Sequence, residues 1–148
     1  MLTFAPVNFE TETLAAGLAA AGFDAAAPAL FAWLGVVIYL TREAVLDTLA
    51  WIGALPGGAE VVFDYGVPLS AYPADQRAYH ARREARVAAM GEPWITRFES
   101  GEMAGLLQAR GFTEIEDLGP AAIARRFYGL ERPDGAGPHL IRASTMGP

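Results

Sequence analysis

The chain has 148 residues, 53% of them hydrophobic, and its 11 basic and 17 acidic side chains leave a formal charge of -6 and a pI near 4.8. That length suits one domain with an ample core, and the acidic balance argues against nucleic acid as a partner, because phosphate binding needs a basic surface. The absence of cysteine excludes a disulfide framework, a thiolate metal site and a Cys nucleophile, and permits the cytosol.

The start, Met1-Leu2-Thr3-Phe4, lacks the basic and long apolar regions of a signal peptide, and the apolar run around Leu30 to Leu40 is about half of what a membrane helix needs. A single cytoplasmic domain over residues 1–148, without a membrane partner, is the expectation. Residues 2–7 alternate, and Pro6 holds Ala5 extended, which predicts a short strand entering a loop at Asn8. Residues 11–21 follow as a helix with Leu14 and Leu18 on its buried face. Gly22 supplies its left-handed C-terminal residue and Phe23 the accompanying hydrophobic contact. Phe23 to Pro28 reads as a loop.

The run Phe31-Ala32-Trp33-Leu34-Gly35-Val36-Val37-Ile38-Tyr39-Leu40 is too apolar and too β-branched for a solvated face. It predicts a buried central strand that runs straight into a helix, which Thr41 caps and whose first-turn dipole Glu43 complements. Val45, Leu46, Leu49 and Ile52 recur at helical spacing to about Ala54, and Pro56-Gly57-Gly58 then breaks the chain. Ala59 to Tyr65 is a second buried strand. Strands alternating with helices call for parallel pairing and the α/β class, in which ligands sit at the carboxyl ends of strands.

Ala74 to Met90 is a polar, Ala-rich helix in which Asp75, Arg77, Arg82, Arg83, Glu84 and Arg86 leave a thin apolar stripe through Tyr79 and Val87. It reads as a solvated surface helix, with a lid turning its arginines to an anionic substrate as the alternative. Ser100 is expected to cap the next helix, with Glu102 in its first turn, Leu106 and Leu107 inward and Gly111-Phe112 ending it. Phe112 to Leu118 alternates as a strand, Pro120 opens a short helix to about Tyr128, and Glu131 to Pro138 leads to a last strand near His139 to Ser144.

Chemistry-bearing motifs are sparse. No strand is followed by clustered glycines that open a helix, so a nucleotide cradle is missing. The two histidines and the scattered carboxylates have no metal-ligand spacing, and His80 and His139 read as surface residues rather than bases. Asp64 and Tyr65, ending the second predicted strand, stand where substrate groups belong, though Asp64 can equally cap the following turn.

Four blocks in order, Pro6-Val7-Asn8-Phe9-Glu10, Ala21-Gly22-Phe23-Asp24, Trp33 through Thr41 and Glu60-Val61-Val62-Phe63-Asp64-Tyr65, resemble the leucine carboxyl methyltransferase family. The likeness is to its bacterial branch of S-adenosylmethionine-dependent O-methyltransferases, over about residues 1 to 118 and to the family's second half only. It implies a partial Rossmann-like sheet of the class I methyltransferase kind, mostly parallel, with the last two strands antiparallel and the first two strands lacking. S-adenosylmethionine is the implied cofactor of the complete fold, bound weakly or not at all by this chain alone.

The resemblance implies roles for individual residues. Asn8, where the family usually has Asp, and the apolar Phe9 would contact the adenine end of the cofactor; the rival role for Asn8 is a cap of the helix at Thr11. Leu34, where many relatives carry Glu, would lie near the methionine part. Tyr39 would turn its hydroxyl into the pocket or sit in the core. The acceptor would be a hydroxyl or carboxyl compound bound near Asp64 and Tyr65, with no catalytic residue identified. A non-catalytic α/β interaction module is the other reading. Without the two missing strands, the Leu30 to Leu40 edge would be bare, to be covered by residues 2–7 or by a second copy in a homodimer burying Val36, Ile38 and Leu40.

Overall fold

Helix signals written into short stretches are obeyed closely in the computed structural model, which describes residues 2–8 and 11–147. The hydroxyl of Thr13 accepts from the Ala16 N–H at 3.2 Å and starts helix α1, Leu14–Ala20. Gly22 at φ +83° ends it, and the Phe23 N–H reaches back to the Leu18 carbonyl at 3.0 Å, closing the last turn as a glycine in the left-handed region allows. Thr41 caps α2, Arg42–Gly53, by accepting from the Ala44 N–H, with Glu43 in the first turn. Helix α3, Ala74–Ala89, buries none of its residues, as its composition requires.

Helix α4, Glu102–Gln108, departs from expectation at its start. Gly101, at φ +88°, occupies the cap position without a side-chain bond, so Ser100 is not the cap; the Glu102 carboxylate instead accepts from the Glu99 N–H at 3.2 Å. Its end repeats α1, with Gly111 at φ +90° and the Phe112 N–H on the Leu107 carbonyl. Helix α5, Pro120–Tyr128, opens on proline, whose missing N–H costs nothing there. Among the described residues no helix is long and apolar enough to cross a membrane.

Four strands form an open, mixed sheet in the order β1, β2, β4, β3. They are β1 (Ala29–Trp33), β2 (Ala59–Tyr65), β3 (Glu114–Leu118) and β4 (His139–Ser144). β1 and β2 are parallel, joined through α2, while β4 lies antiparallel between β2 and β3. The expected antiparallel pairing of the last two strands is therefore present. One face of the sheet, through Val61, Phe63 and Ile141, is fully buried with Val45, Leu49 and Ile52 of α2 and Met103 and Leu107 of α4.

Two strand expectations are corrected. Residues 2–8 form no strand, because β1 has no partner on its outer side and an isolated extended segment has nothing to satisfy its backbone groups. The predicted Leu30 to Leu40 strand stops at Trp33 and lies at the sheet's edge, not its centre. Gly35, at φ +72°, turns the chain out of the ladder, and the apolar run continues as a 3-10 turn, Val37–Tyr39, that buries Val37. Val36, Ile38 and Leu40 thus lie outside the edge that was expected to bury them.

Candidate functional site

β3 runs antiparallel to β4, which runs antiparallel to β2, so β1, β2 and β3 all point one way. Their carboxyl ends, the side on which α/β sheets take ligands, meet the start of β4 along one rim of the sheet. This rim gathers Leu34 and Gly35, Asp64 and Tyr65, Asp117 and Leu118, and His139.

The strand register brings three of these together on the buried face. Tyr65 pairs with His139, and Asp117 pairs with Ile141, two residues along from His139 on the same face. The Tyr65 hydroxyl donates to one oxygen of Asp117 at 2.6 Å, while the other oxygen lies 2.7 Å from His139 Nδ1. The imidazole stacks on the Tyr65 ring with centroids 5.0 Å apart, and Phe98 meets that ring edge-on at 6.1 Å. Gly119 borders the imidazole, where a Cβ would stand in ordinary contact, 3.4 Å from its Cε1.

Burial, and then the Asp117 carboxylate accepting its hydrogen, drive the Tyr65 pKa well above the ordinary tyrosine value. The native state therefore holds a proton that the unfolded chain releases near pH 10, so this contribution is complete below about pH 10 and is lost as pH rises toward the folded value. Urea unfolding between about pH 9 and 11 should show stability falling by at most about 1.4 kcal/mol per pH unit from this residue. The fall should be shallower in Tyr65→Phe; equal slopes in both proteins would contradict the assignment.

The other expected residues are placed as follows. Leu34 follows β1 and is 56% exposed, and its neighbour Gly35 donates its N–H to the Asp64 carboxylate at 2.5 Å. Asp64 thus ties the ends of the two parallel strands together and does not cap the turn after β2. Tyr39 sits in the 3-10 turn with its ring partly exposed. The Asn8 carbonyl accepts from the Thr11 and Glu12 N–H groups ahead of α1, whose own cap is Thr13. Phe9 lies outside the described residues. Tyr65, expected to meet substrate, is 1% exposed with its hydroxyl already committed to Asp117, because its side chain points to the core face.

Sequence reasoning missed Asp117 and His139 as a pair and took His139 for a surface residue. Its side chain is only 14% exposed. The available signal was positional: Asp117 is the penultimate residue of one predicted strand and His139 the first of the next, which antiparallel pairing must bring to the same end.

A backbone strap from Ile95 to Phe98 roofs this rim. The Ile95 N–H donates to the Ile38 carbonyl at 2.8 Å, the Phe98 N–H donates to the Gly66 carbonyl at 3.0 Å, and the Thr96 hydroxyl donates to the Leu40 carbonyl. Arg97 bonds Glu84 of α3 at 2.6 Å, and Arg83 and Arg97 both lie over the Trp94 ring. These contacts fasten α3 beside the strap. His80, on α3, stacks on Tyr72 at 3.8 Å. Among the described residues no cluster of His, Asp and Glu has the grouping to hold a metal ion.

Among the described residues, cavities lie elsewhere. One of about 480 Å³ between α1 and α2 has an acidic rim of Glu12, Glu43 and Asp47 around Thr13, Thr41 and Trp51. Another, about 340 Å³ and apolar, runs along β1 past Leu14, Leu18, Phe23, Leu30 and Trp33. Neither is lined by Asn8, Leu34, Tyr39, Asp64 or Tyr65.

Comparisons with known proteins cover different parts of this architecture. The leucine carboxyl methyltransferase family model matches residues 1–53, which hold α1, β1 and α2, so the sequence resemblance to that family stands over this part of the chain. The crystal structure of a possible exported protein from Bordetella parapertussis superposes with a TM-score of 0.53 at 16% identity, which shows a shared fold; the match covers 90% of this chain and 48% of that one. The chain thus spans about half the length of that solved protein. The pyocyanin biosynthetic protein PhzM superposes over 78% of this chain and 29% of its own, with 17% identity and a TM-score of 0.42, too slight to rest an argument on. No curated protein matches the sequence.

Proposed function

We propose that the chain is part of an S-adenosylmethionine-dependent O-methyltransferase with a Rossmann-like sheet, the methyl acceptor carrying a hydroxyl or carboxyl group. The observation that carries this reading is the family match over residues 1–53. The mixed sheet, with its last strand antiparallel between β2 and β3, supports it, as does the rim at which β1, β2 and β3 end together. A methyl transfer asks chiefly for alignment of donor and acceptor, which a rim built on three strand ends supplies. Leu34 and Asp64, linked through Gly35, are the expected residues best placed to line such a site.

We expect the chain alone to bind the cofactor weakly or not at all. Among the described residues no strand leads through a glycine-rich turn into a helix, the arrangement whose N-terminal N–H groups would hold the cofactor's carboxylate. Calorimetric titration of the 148-residue chain with S-adenosylmethionine is expected to show no binding at micromolar concentrations. The product of the reading frame extended upstream, if it encodes that motif, is expected to bind. Micromolar binding by the chain itself would overturn the division of labour, and an extended product that neither binds nor transfers a methyl group would overturn the function.

The second reading, an interaction module, rests on a specific observation: β1 ends the sheet with an apolar groove beside it. We propose that a second copy of the chain covers this edge.

A further inference from the structure

The Asp117–His139 pair has the form of a base held ready for use. Asp117 accepts from Tyr65 on one oxygen, so its other oxygen is left to accept from the Nδ1–H of His139. That fixes the neutral imidazole in the tautomer whose Nε2 carries a lone pair. Among the described residues no buried side-chain nitrogen or oxygen lacks a hydrogen-bond partner. Nε2 makes no hydrogen bond among the described residues and so is not fully buried; it lies at the rim where β2 and β3 end. Stacking on Tyr65 holds the ring against the sheet.

We infer that His139 Nε2 receives the proton of the methyl acceptor, with Asp117 as its positioning residue, and that the acceptor is therefore an alcohol or phenol and not a carboxylate. The inference rests on the methyl-transfer reading above and deepens it. A carboxylic acid is already ionised at neutral pH and needs no base, and its negative charge would be repelled by Asp117 behind the imidazole. A hydroxyl keeps its proton and is a poor nucleophile until a positioned base takes it. In the balanced step the acceptor oxygen forms its bond to the methyl carbon as the bond from that carbon to sulfur breaks. The electron pair leaves on sulfur to give a neutral thioether, and the hydroxyl proton passes to Nε2.

The chain has two histidines, which makes the test clean, because His80 serves as the internal reference. Nitrogen-15 spectra of the 148-residue chain are expected to show His139 as the Nδ1–H tautomer, and diethylpyrocarbonate is expected to acylate it at Nε2. In Asp117→Asn the tautomer should change and acylation of His139 relative to His80 should fall about tenfold or more, the direction in which a mis-set tautomer acts. Unchanged tautomer and reactivity in a folded Asp117→Asn would reduce the pair to a core contact and overturn the proposal. Phenol and benzoate then serve as probes of acceptor class. The ring signals of His139 should respond to phenol and not to benzoate; a response to benzoate, or to neither, overturns the assignment. These arms need no methyl donor, so a chain whose extended form fails to bind S-adenosylmethionine while His139 still answers phenol would sink the methyl-transfer reading alone.

Discussion

Leu30→Lys is expected to keep the chain monomeric, where the wild type is proposed to pair through β1. The Ala29 N–H donates inward to the Gly58 carbonyl at 3.1 Å, so by the alternation of a strand the main-chain groups of Leu30 and Ala32 point outward from the sheet. Nothing on that edge discourages pairing. The strand Ala29-Leu30-Phe31-Ala32-Trp33 has no charge and no proline, and Leu30 is 68% exposed beside the apolar groove. A second copy laid antiparallel about a two-fold axis near Phe31 would continue the sheet and cover both grooves. A lysine would have to be desolvated there, which should weaken association by about two orders of magnitude, roughly 3 kcal/mol. Ala32→Pro is the companion variant: it removes an outward donor and leaves the β1–β2 ladder intact. Sedimentation across a concentration series decides the matter, and a wild-type chain that stays monomeric throughout would end the proposal.

Gly53→Ala and Gly105→Ala should shift stability in opposite directions although both glycines are helical. Gly53, in the last turn of α2, faces the carbonyl of Arg110 so closely that a Cβ would fall inside it. Arg110 cannot simply yield, because its guanidinium bridges the carbonyls of Leu46 on α2 and Leu106 on α4 at 3.0 and 2.8 Å. The two helix ends must part, at a cost of about 1–3 kcal/mol that outweighs the helix propensity gained. Gly105 on α4 has nothing within reach of a Cβ, so alanine there should stabilise by about 0.5–1 kcal/mol through propensity alone. Thermal unfolding should place the two midpoints several degrees apart, about 2–4 °C per kcal/mol for a chain of this size. A Gly53→Ala protein as stable as wild type would show that α2 and α4 are less tightly seated than this contact implies.

What could be read from the sequence is what local chemistry decides. Thr41 and Glu43 announce α2, the Gly22-Phe23 and Gly111-Phe112 pairs end their helices by the same main-chain bond, and the burial of alternate residues from Ala59 to Tyr65 follows its apolar positions. Strands are different, since their backbone groups need a partner that sequence periodicity does not name. Residues 2–7 have the alternation and lack the partner, and the run after Trp33 has the apolar content but meets Gly35 in the left-handed region. At the rim, Asp64 and Leu34 were legible as strand-end positions. The Tyr65, Asp117 and His139 network was not, because it depends on the register of three strands whose residues lie 22 to 74 positions apart.

The placement of β4 between β2 and β3 makes the last strand in the chain the inner member that unites the sheet. Before it docks, β1–β2 and β3 are two separate pieces, each with a bare edge, and no bond of either ladder has formed. The chain must therefore bring His139–Ser144 back across some 80 residues to reach β2, as the paired Glu60 and Ser144 and the Ala59 N–H on Thr145 Oγ1 at 2.9 Å record. Closing loops of that length is the slow part of folding a small domain. Assembly should then be governed by the arrival of the C-terminal strand, with the proton-holding network of Tyr65, Asp117 and His139 appearing only at that final step.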